Sequence, residues 1–414
     1  MYRLNVKKEK HRYVLEELAK EFLRPEEYEV FVEEKAETAE GSSDQQKIAA
    51  GEKKALSEEQ RRTENEERDA EKRRVFDELA ELTGYRPEWG TLTGVRPAKL
   101  VNEMMDGGLS EEETAEIFRR RYYVSEEKID LLLETCRNQR FLTSVPAENT
   151  AGVYIGIPFC PTRCLYCAFA SNQASGEAME RYLQALLTEI EAVGAKFRSL
   201  GIVPESLYVG GGTPTSLSVF ALERLLSCAV ESFDLSEVRE FCVEAGRPDT
   251  ITGEKLSVMR HCGVDRVSVN PQSMNDVTLK AIGRSHTVEE ICRAFEMVRQ
   301  SGIPHVNADI IAGLPGEDYA MFLHTLKSVI ALGPDNITVH TLAVKRASRL
   351  KEQNENYHYE NAAGVGRMVT DARRILAENG YFPYYMYRQK HMTGNFENVS
   401  YARPGSESVY NSRI

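Results

Sequence analysis

The sequence predicts an α/β protein: a partial or open (β/α)6 TIM-like barrel, preceded by a small N-terminal α+β/helical region. Three observations predict it. From Gly152 onward six short runs rich in β-branched residues, "VYIGIPF", "SLYVGG", "EFCVEAG", "RVSVNP", "HVNADII" and "NITVHTL", alternate with helical patterns that begin near Glu177, Leu217, Thr252, Val288, Tyr319 and Glu360. Such alternation means parallel strands joined by crossover helices. Polar residues or glycines collect at the carboxyl end of each run: the Cys160 loop, Gly210 to Thr213, Glu244, Asn270 and Gln272, Asp309, and His340. In β/α barrels the active site is built at that end, so these residues are expected to converge on one cavity. Finally, Cys160, Cys164 and Cys167 crowd into eight residues just after the first run. A doubly wound sheet is the competing arrangement.

Taken in chain order, residues 1–32 form a small piece with helical periodicity in "YVLEELAKEFL" and a strand pattern in "EYEVFV". Residues 33–74 are a charged insertion in which Ile48 and Leu56 are the only large apolar residues. That composition buries too little surface to offset its ordering entropy, which predicts a flexible or loosely helical segment. Residues 75–145 return to helical patterning, interrupted by a turn in "PEWGTLTGVRPAKL" around Trp89. The barrel is expected over 150–350, and 351–414 reads as the start of a truncated C-terminal region.

A length of 414 residues allows at least one full-sized core and two or three domains. Its net charge of -12 argues against a general nucleic-acid binder, which would show a basic stripe. Small molecules or proteins are the expected partners. The N-terminus has no apolar signal-peptide core, and no run reaches the roughly 18 apolar residues of a membrane span. A cytoplasmic location is expected, and with it the eight cysteines read as thiols or metal ligands rather than a disulfide framework.

The spacing Cys-x3-Cys-x2-Cys places three thiolates on one loop. A 4Fe-4S cluster held by three of them keeps one iron open to a non-protein ligand. Zinc would need a fourth partner that the loop lacks, and three unconnected structural cysteines are the bland alternative. The glycines of "YVGGGTPTSL" let backbone N–H groups approach a ligand, with the Thr213 hydroxyl beside them; a tight turn is the plainer account. Glu244 and Asp309 end the third and fifth runs, where a buried carboxylate needs a cationic or hydroxyl partner; Arg266 or Arg284 could provide a simple salt bridge. Gln272 and Arg284 follow the fourth run, as site residues or as caps and surface pairs.

The cysteine loop "GIPFCPTRCLYCAFAS" resembles the radical S-adenosylmethionine (SAM) superfamily, in which the open iron binds SAM and one-electron reduction cleaves it to a 5'-deoxyadenosyl radical. Together "YIGIPFC", "GGGTPTSL", "RVSVNPQSM", "AIGRSHT", "NADIIAGLPGE" and "PDNITVHTLAVKR" resemble the oxygen-independent coproporphyrinogen III oxidase group. "WGTLTGVRPAKL", "VEAGRPDTIT" and "PYYMYRQKHMTGNFENV" resemble its coproporphyrinogen dehydrogenase HemZ branch most closely. The resemblance implies a barrel of the radical SAM type that decarboxylates two propionates of coproporphyrinogen III to vinyls, giving protoporphyrinogen IX. It also implies a reducing partner such as flavodoxin or ferredoxin. Carried over, Cys160, Cys164 and Cys167 would hold the 4Fe-4S cluster, with Tyr154, Gly211 and Glu244 at the cluster-bound SAM. A second SAM would meet Tyr166, Gly212, Thr213, Gln272, Arg284, Asp309 and Ala343. For Tyr154 the plain alternative is a packed strand tyrosine. Arg388, Lys390 and His391 beside Tyr384, Tyr385 and Tyr387 are candidate propionate anchors, or else a surface strand with packed tyrosines. Two positions depart from the pattern. Phe169 stands where the oxidases of the group carry a further cysteine, as in the related haem chaperones, and Ser400 replaces a glycine shortly before the chain ends. A haem-binding chaperone and a radical SAM enzyme with another substrate are therefore the alternatives.

Overall fold

The chain begins with β1 (Tyr2–Lys8), α1 (Arg12–Ala19) and β2 (Tyr28–Glu34), followed by α2 (Glu58–Thr83), α3 (Pro97–Asp106), α4 (Glu111–Arg120) and α5 (Glu126–Thr143). This computed structural model describes residues 1–34, 58–93, 96–143 and 148–413. The described residues of Met1–Val95 and Lys99–Leu131 form one compact unit, and those of Arg96–Ala98 and Leu132–Ile414 a second. The boundary thus falls inside α5, not at the edges of the expected 75–145 module.

In the first unit β1 and β2 pair in parallel, Leu4 opposite Val30, with α1 as their crossover. Leu4, Val6, Leu15 and Leu18 pack there against Val75, Phe76 and Leu79 of α2. Over 58–74 the charged insertion is helical and continuous with the apolar end of α2. Its charges are satisfied locally: the buried Glu71 carboxylate meets His11 Nδ1 at 2.7 Å and accepts from the Lys7 N–H at 2.6 Å, and Asp69 pairs with Arg121 at 2.6 Å. Residues 35–57, the rest of that insertion, lie outside the described residues.

The second unit alternates β3 (Thr150–Ile157), α6 (Gly176–Leu200), β4 (Val203–Gly211), α7 (Val219–Ser232), β5 (Glu240–Glu244), α8 (Gly253–His261), β6 (Arg266–Ser268), α9 (Asp276–Ala281), α10 (Val288–Ser301), β7 (His305–Ala312), α11 (Tyr319–Leu332) and β8 (Asn336–Thr341). Each long helix starts on a capping side chain: Ser175, Ser218, Thr252, Thr287 and Asp318 accept from the N–H three residues on. The strands lie side by side in chain order and in parallel from β3 to β8. A doubly wound sheet would reverse strand order at a switch point, so that alternative is excluded. The sheet curls into a half-barrel with helices around it. Side chains alternate across each strand. Val153, Leu207, Val243, Val267, Ile310 and Val339 are buried on one side, whereas Tyr154, Tyr208, Glu244, Asp309 and His340 stand on the other.

After α12 (Arg349–Gln353) and α13 (Ala362–Glu378), β9 (Phe382–Tyr387) and β10 (Asn398–Ala402) extend the same sheet, with β10 antiparallel to β8 and β9 antiparallel to β10. Within 351–414, expected as the start of a truncated C-terminal region, β9 and β10 are thus strands of the barrel sheet. α14 (Val409–Arg413) returns to the amino ends of the strands. There Glu240, the first residue of β5, accepts from Ser408 Oγ and the Val409 N–H, both at 2.9 Å. Among the described residues no helix is long and apolar enough to cross a membrane.

Candidate active site

The loop that leaves β3 is held by the carboxyl ends of its neighbours. The Thr213 N–H donates to Phe159 O at 2.7 Å, Leu165 N–H to Ile282 O at 2.9 Å, and Thr162 Oγ1 to Gly283 O at 3.0 Å. The Leu350 N–H donates to Leu165 O at 2.9 Å, and the Arg163 guanidinium reaches Ala347 O. Cys160, Cys164 and Cys167 therefore sit on a loop fixed by segments following β4, β6 and β8. None of the three is in a disulfide. Burial pushes the Cys160 and Cys167 thiols up; hydrogen bonds from Thr213 and from the Phe169 backbone act the other way. Thr213 Oγ1 lies 3.3 Å from Cys160 Sγ, and Arg247 Nη1 donates to Cys164 Sγ at 3.4 Å.

The glycine turn works differently from its sequence reading. Its N–H groups are engaged within the protein: Gly211 donates to Glu244 Oε2 at 3.1 Å and Gly212 to Ile157 O at 2.7 Å. A Cβ on Gly212 would lie 2.5 Å from Phe159 O, and Gly211 has φ +110°. The glycines thus let the turn pack against the cysteine loop. What the turn can present to a ligand is carbonyl oxygen, which suits an ammonium group.

Beside this loop, pairing sets Tyr154 opposite Tyr208 and Gly156 opposite Gly210. Tyr154 is 51% exposed and stacks on Tyr208 at 5.9 Å, which argues against a packed core tyrosine. Tyr208 donates to Glu244 Oε1 at 2.6 Å and stacks on Tyr410 at 4.3 Å. Glu244 makes no salt bridge with Arg266 or Arg284: Arg266 pairs with Glu240 at 3.1 Å, and Arg284 donates to the carbonyls of Gly246 and Asn270. Burial pushes the Glu244 carboxyl up to about 7; Tyr208 and Gly211 oppose this and Asp309 adds to it. Asp309 meets His340 Nε2 at 3.5 Å, and His340 Nδ1 lies 3.4 Å from the Tyr387 hydroxyl. Gln272, at φ +67°, is locked by its N–H to Asp309 O and by Ile311 N–H to its own carbonyl. Arg284 Nη2 reaches the Tyr166 hydroxyl at 3.3 Å, and Ala343 bridges to Met392 just beyond β8.

All thirteen sequence-predicted residues thus lie at or beside the carboxyl ends of β3 to β8. The second cluster divides. Tyr384 points away from Tyr385 and Tyr387 on β9 and is fully buried, its hydroxyl accepting from Asn336 Nδ2 at 2.5 Å. Arg388 is buried and donates to Asn395 O at 2.8 Å. Strand alternation explains the split: only Tyr385 and Tyr387 share the His340 side. The sequence reading missed Arg247 and Tyr208. Tyr208 was recoverable from its phase, two residues before Gly210, and Arg247 from its place three residues beyond Glu244.

Comparison with known proteins fits this geometry. A family model described as the Radical SAM superfamily matches residues 154–329. The chain is 42% identical over 339 residues to the "Oxygen-independent coproporphyrinogen-III oxidase-like protein HemZ" of Bacillus subtilis (strain 168), covering 80% of this chain and 67% of the relative. It is 29% identical over 274 residues to the "Heme chaperone HemW" of Lactococcus lactis subsp. lactis (strain IL1403), covering 64% and 65%. Among solved structures it is similar to HemN, the coproporphyrinogen III oxidase of Escherichia coli, described as a radical SAM enzyme: TM-score 0.55, 25% identity, 65% of this chain and 59% of that one. The chain spans about two thirds of the length of the HemZ and HemW relatives. The radical SAM fold implies a 4Fe-4S cluster and SAM. The residues present fit such a group: three disulfide-free thiols on one braced loop, with hydroxyl and guanidinium donors on two of the sulfurs. Among the described residues no three His, Cys, Asp or Glu side chains gather as around a single ion. A cluster spreads its thiolates over separate irons and needs no such gathering. With this loop, this half-barrel and these relatives, the chain belongs to the radical SAM superfamily, in its family of oxygen-independent coproporphyrinogen-III oxidase-like proteins.

Proposed function

We propose that the protein is a radical SAM oxidoreductase of porphyrin and haem biosynthesis that converts propionates of coproporphyrinogen III to vinyls by oxidative decarboxylation. The observation that carries this is the 42% identity to the HemZ protein over 339 residues, 80% of this chain. In this reading Cys160, Cys164 and Cys167 hold the cluster, with Tyr154, Gly211 and Glu244 at the SAM bound to its open iron. Tyr166, Gly212, Thr213, Gln272, Arg284, Asp309 and Ala343 take a second SAM, and a flavodoxin or ferredoxin supplies the electron.

Cys160, Cys164 and Cys167 would hold a cluster that, with bound SAM, would supply the radical chemistry for taking hydrogen from a propionate side chain; the carboxylate would leave as carbon dioxide and the remaining electron would pass to a one-electron acceptor. The protein's own part is placement. An ionised Glu244, carbonyl oxygens of the glycine turn and the Tyr154 face suit the ammonium, ribose and base of SAM. Arg284, pinned by two carbonyls, donates to the hydroxyl of Tyr166 within the loop. Anaerobic reconstitution with iron and sulfide, followed by coproporphyrinogen III, SAM and a reductant, tests this. Deoxyadenosine with vinyl product is expected, and deoxyadenosine without it would leave the chemistry but refute the substrate. Cys164→Ala should lose both iron and SAM cleavage; cleavage that persists would refute the cluster ligands.

One observation favours a second reading, a haem-binding chaperone. Phe169 replaces the further cysteine and is 73% exposed two residues past Cys167, leaving an apolar face beside the loop. Tight haem binding without decarboxylation in the same assay would select it.

A further inference from the structure

The cysteine loop carries a buried cation that no part of the proposed function uses. Arg247 lies just beyond β5 and is 3% exposed. Its Nη1 donates to Cys164 Sγ at 3.4 Å. Its Nη2 donates to Thr162 Oγ1 at 2.6 Å and to Ser285 Oγ at 3.1 Å, and its Nε faces Asp249 Oδ1 at 3.4 Å. Asp249 in turn meets His286 Nδ1 at 3.3 Å and accepts from Ser285 Oγ at 3.3 Å. Every nitrogen of the guanidinium is therefore directed, and one of the contacts is sulfur.

Resting on the assignment of Cys164 as a cluster ligand, we propose that Arg247 tunes the reduction potential of the cluster by donating a charge-assisted hydrogen bond to that thiolate. Reduction adds one electron to the cluster and breaks no bond in the protein, so the fixed positive charge stabilises the reduced form more than the oxidised one. Hydrogen bonds to the sulfurs and local net charge are two recognised determinants of iron–sulfur potentials, and both act here through one side chain. Thr162, Ser285 and Asp249 fix the guanidinium, so the contact needs no rearrangement when the electron arrives. Asp249 offsets part of the charge at Nε, while the Nη1–H bond to sulfur is retained. Arg247 is a positioning residue in this sense, acting through the Cys164 sulfur.

The test compares the reconstituted wild-type chain with Arg247→Gln and Arg247→Lys, using iron content, circular dichroism and a redox titration of the cluster followed by electron paramagnetic resonance. All three proteins are expected to fold and to hold the same iron. At the wild-type midpoint, Arg247→Gln should show about a tenfold lower ratio of reduced to oxidised cluster, equivalent to 59 mV for a one-electron couple. Arg247→Lys, which keeps the charge without the planar fork, should fall between. An unchanged midpoint in fully loaded Arg247→Gln overturns the proposal. If Arg247→Gln loses iron, the lysine variant decides: a lowered midpoint supports the proposal, and a wild-type one overturns it. A wild-type chain that binds no four-iron cluster would instead refute the cluster assignment beneath it.

Discussion

Glu244 shows how one buried side chain ties stability to ligand binding. Its carboxyl is pushed up to about 7 from 4.5, chiefly by burial. Between those values the folded chain keeps a proton that the unfolded chain has lost. The unfolded state then binds fewer protons, and stability falls as pH rises. Without ligand this amounts to about 3 kcal/mol by pH 8. Glu244→Gln should therefore flatten the decline, seen as a higher urea midpoint than wild type at pH 8 and a similar one at pH 5. Equal slopes in both proteins would contradict it. The same variant should bind SAM at least tenfold more weakly by equilibrium dialysis after reconstitution, because glutamine offers no charge to an ammonium. Wild-type SAM binding should in turn weaken as pH drops below about 7.

Among the elements, the contact between the glycine turn and the cysteine loop carries the most consequence. At Gly212 an added Cβ meets the backbone of Phe159 and Ile157 at 2.5 to 2.9 Å, and backbone cannot rotate away. Gly212→Ala should cost about 3 kcal/mol in denaturant unfolding and lower iron retention together, since the strained contact seats the cysteines. At Gly176, the first residue of α6, an added Cβ would meet nothing within 4 Å. Gly176→Ala should raise stability by about 0.5 kcal/mol with iron content unchanged, because it only restricts the unfolded chain. Strand and helix positions were largely legible, because β-branched runs and hydroxyl caps are local signals. The order of 58–74 was not, because Glu71 and Asp69 find their partners at His11, Lys7 and Arg121, far away in sequence.

Across the second unit the two ends of the sheet have different tasks. The carboxyl ends hold the cysteines, the glycine turn and Glu244, while the amino ends are tied down by the chain's last residues. Glu240 receives Ser408 and Val409 and pairs with Arg266, and Arg413 pairs with Glu205 at 2.8 Å. Tyr410 connects the two by stacking on Tyr208. Deleting 404–413 with Ile414 should cost at least about 3 kcal/mol, since it removes hydrogen bonds to a buried carboxylate. It should also weaken SAM binding by freeing Tyr208 and with it Glu244. Retained SAM affinity in a folded deletion variant would show that the stack plays no part.

The sequence by itself determined the parallel half-barrel, the three-cysteine loop and the strand ends that face it, because these follow from local periodicity and from spacing along one segment. Tertiary structure alone decided that the turn's N–H groups are spent on the protein, that Tyr384 is core while Tyr387 faces His340, and that Arg247 reaches Cys164. It also decided that β9 and β10 complete the sheet. Each of these depends on which residues from distant segments share one side of a strand or one buried space, and that pairing is set only when the sheet assembles.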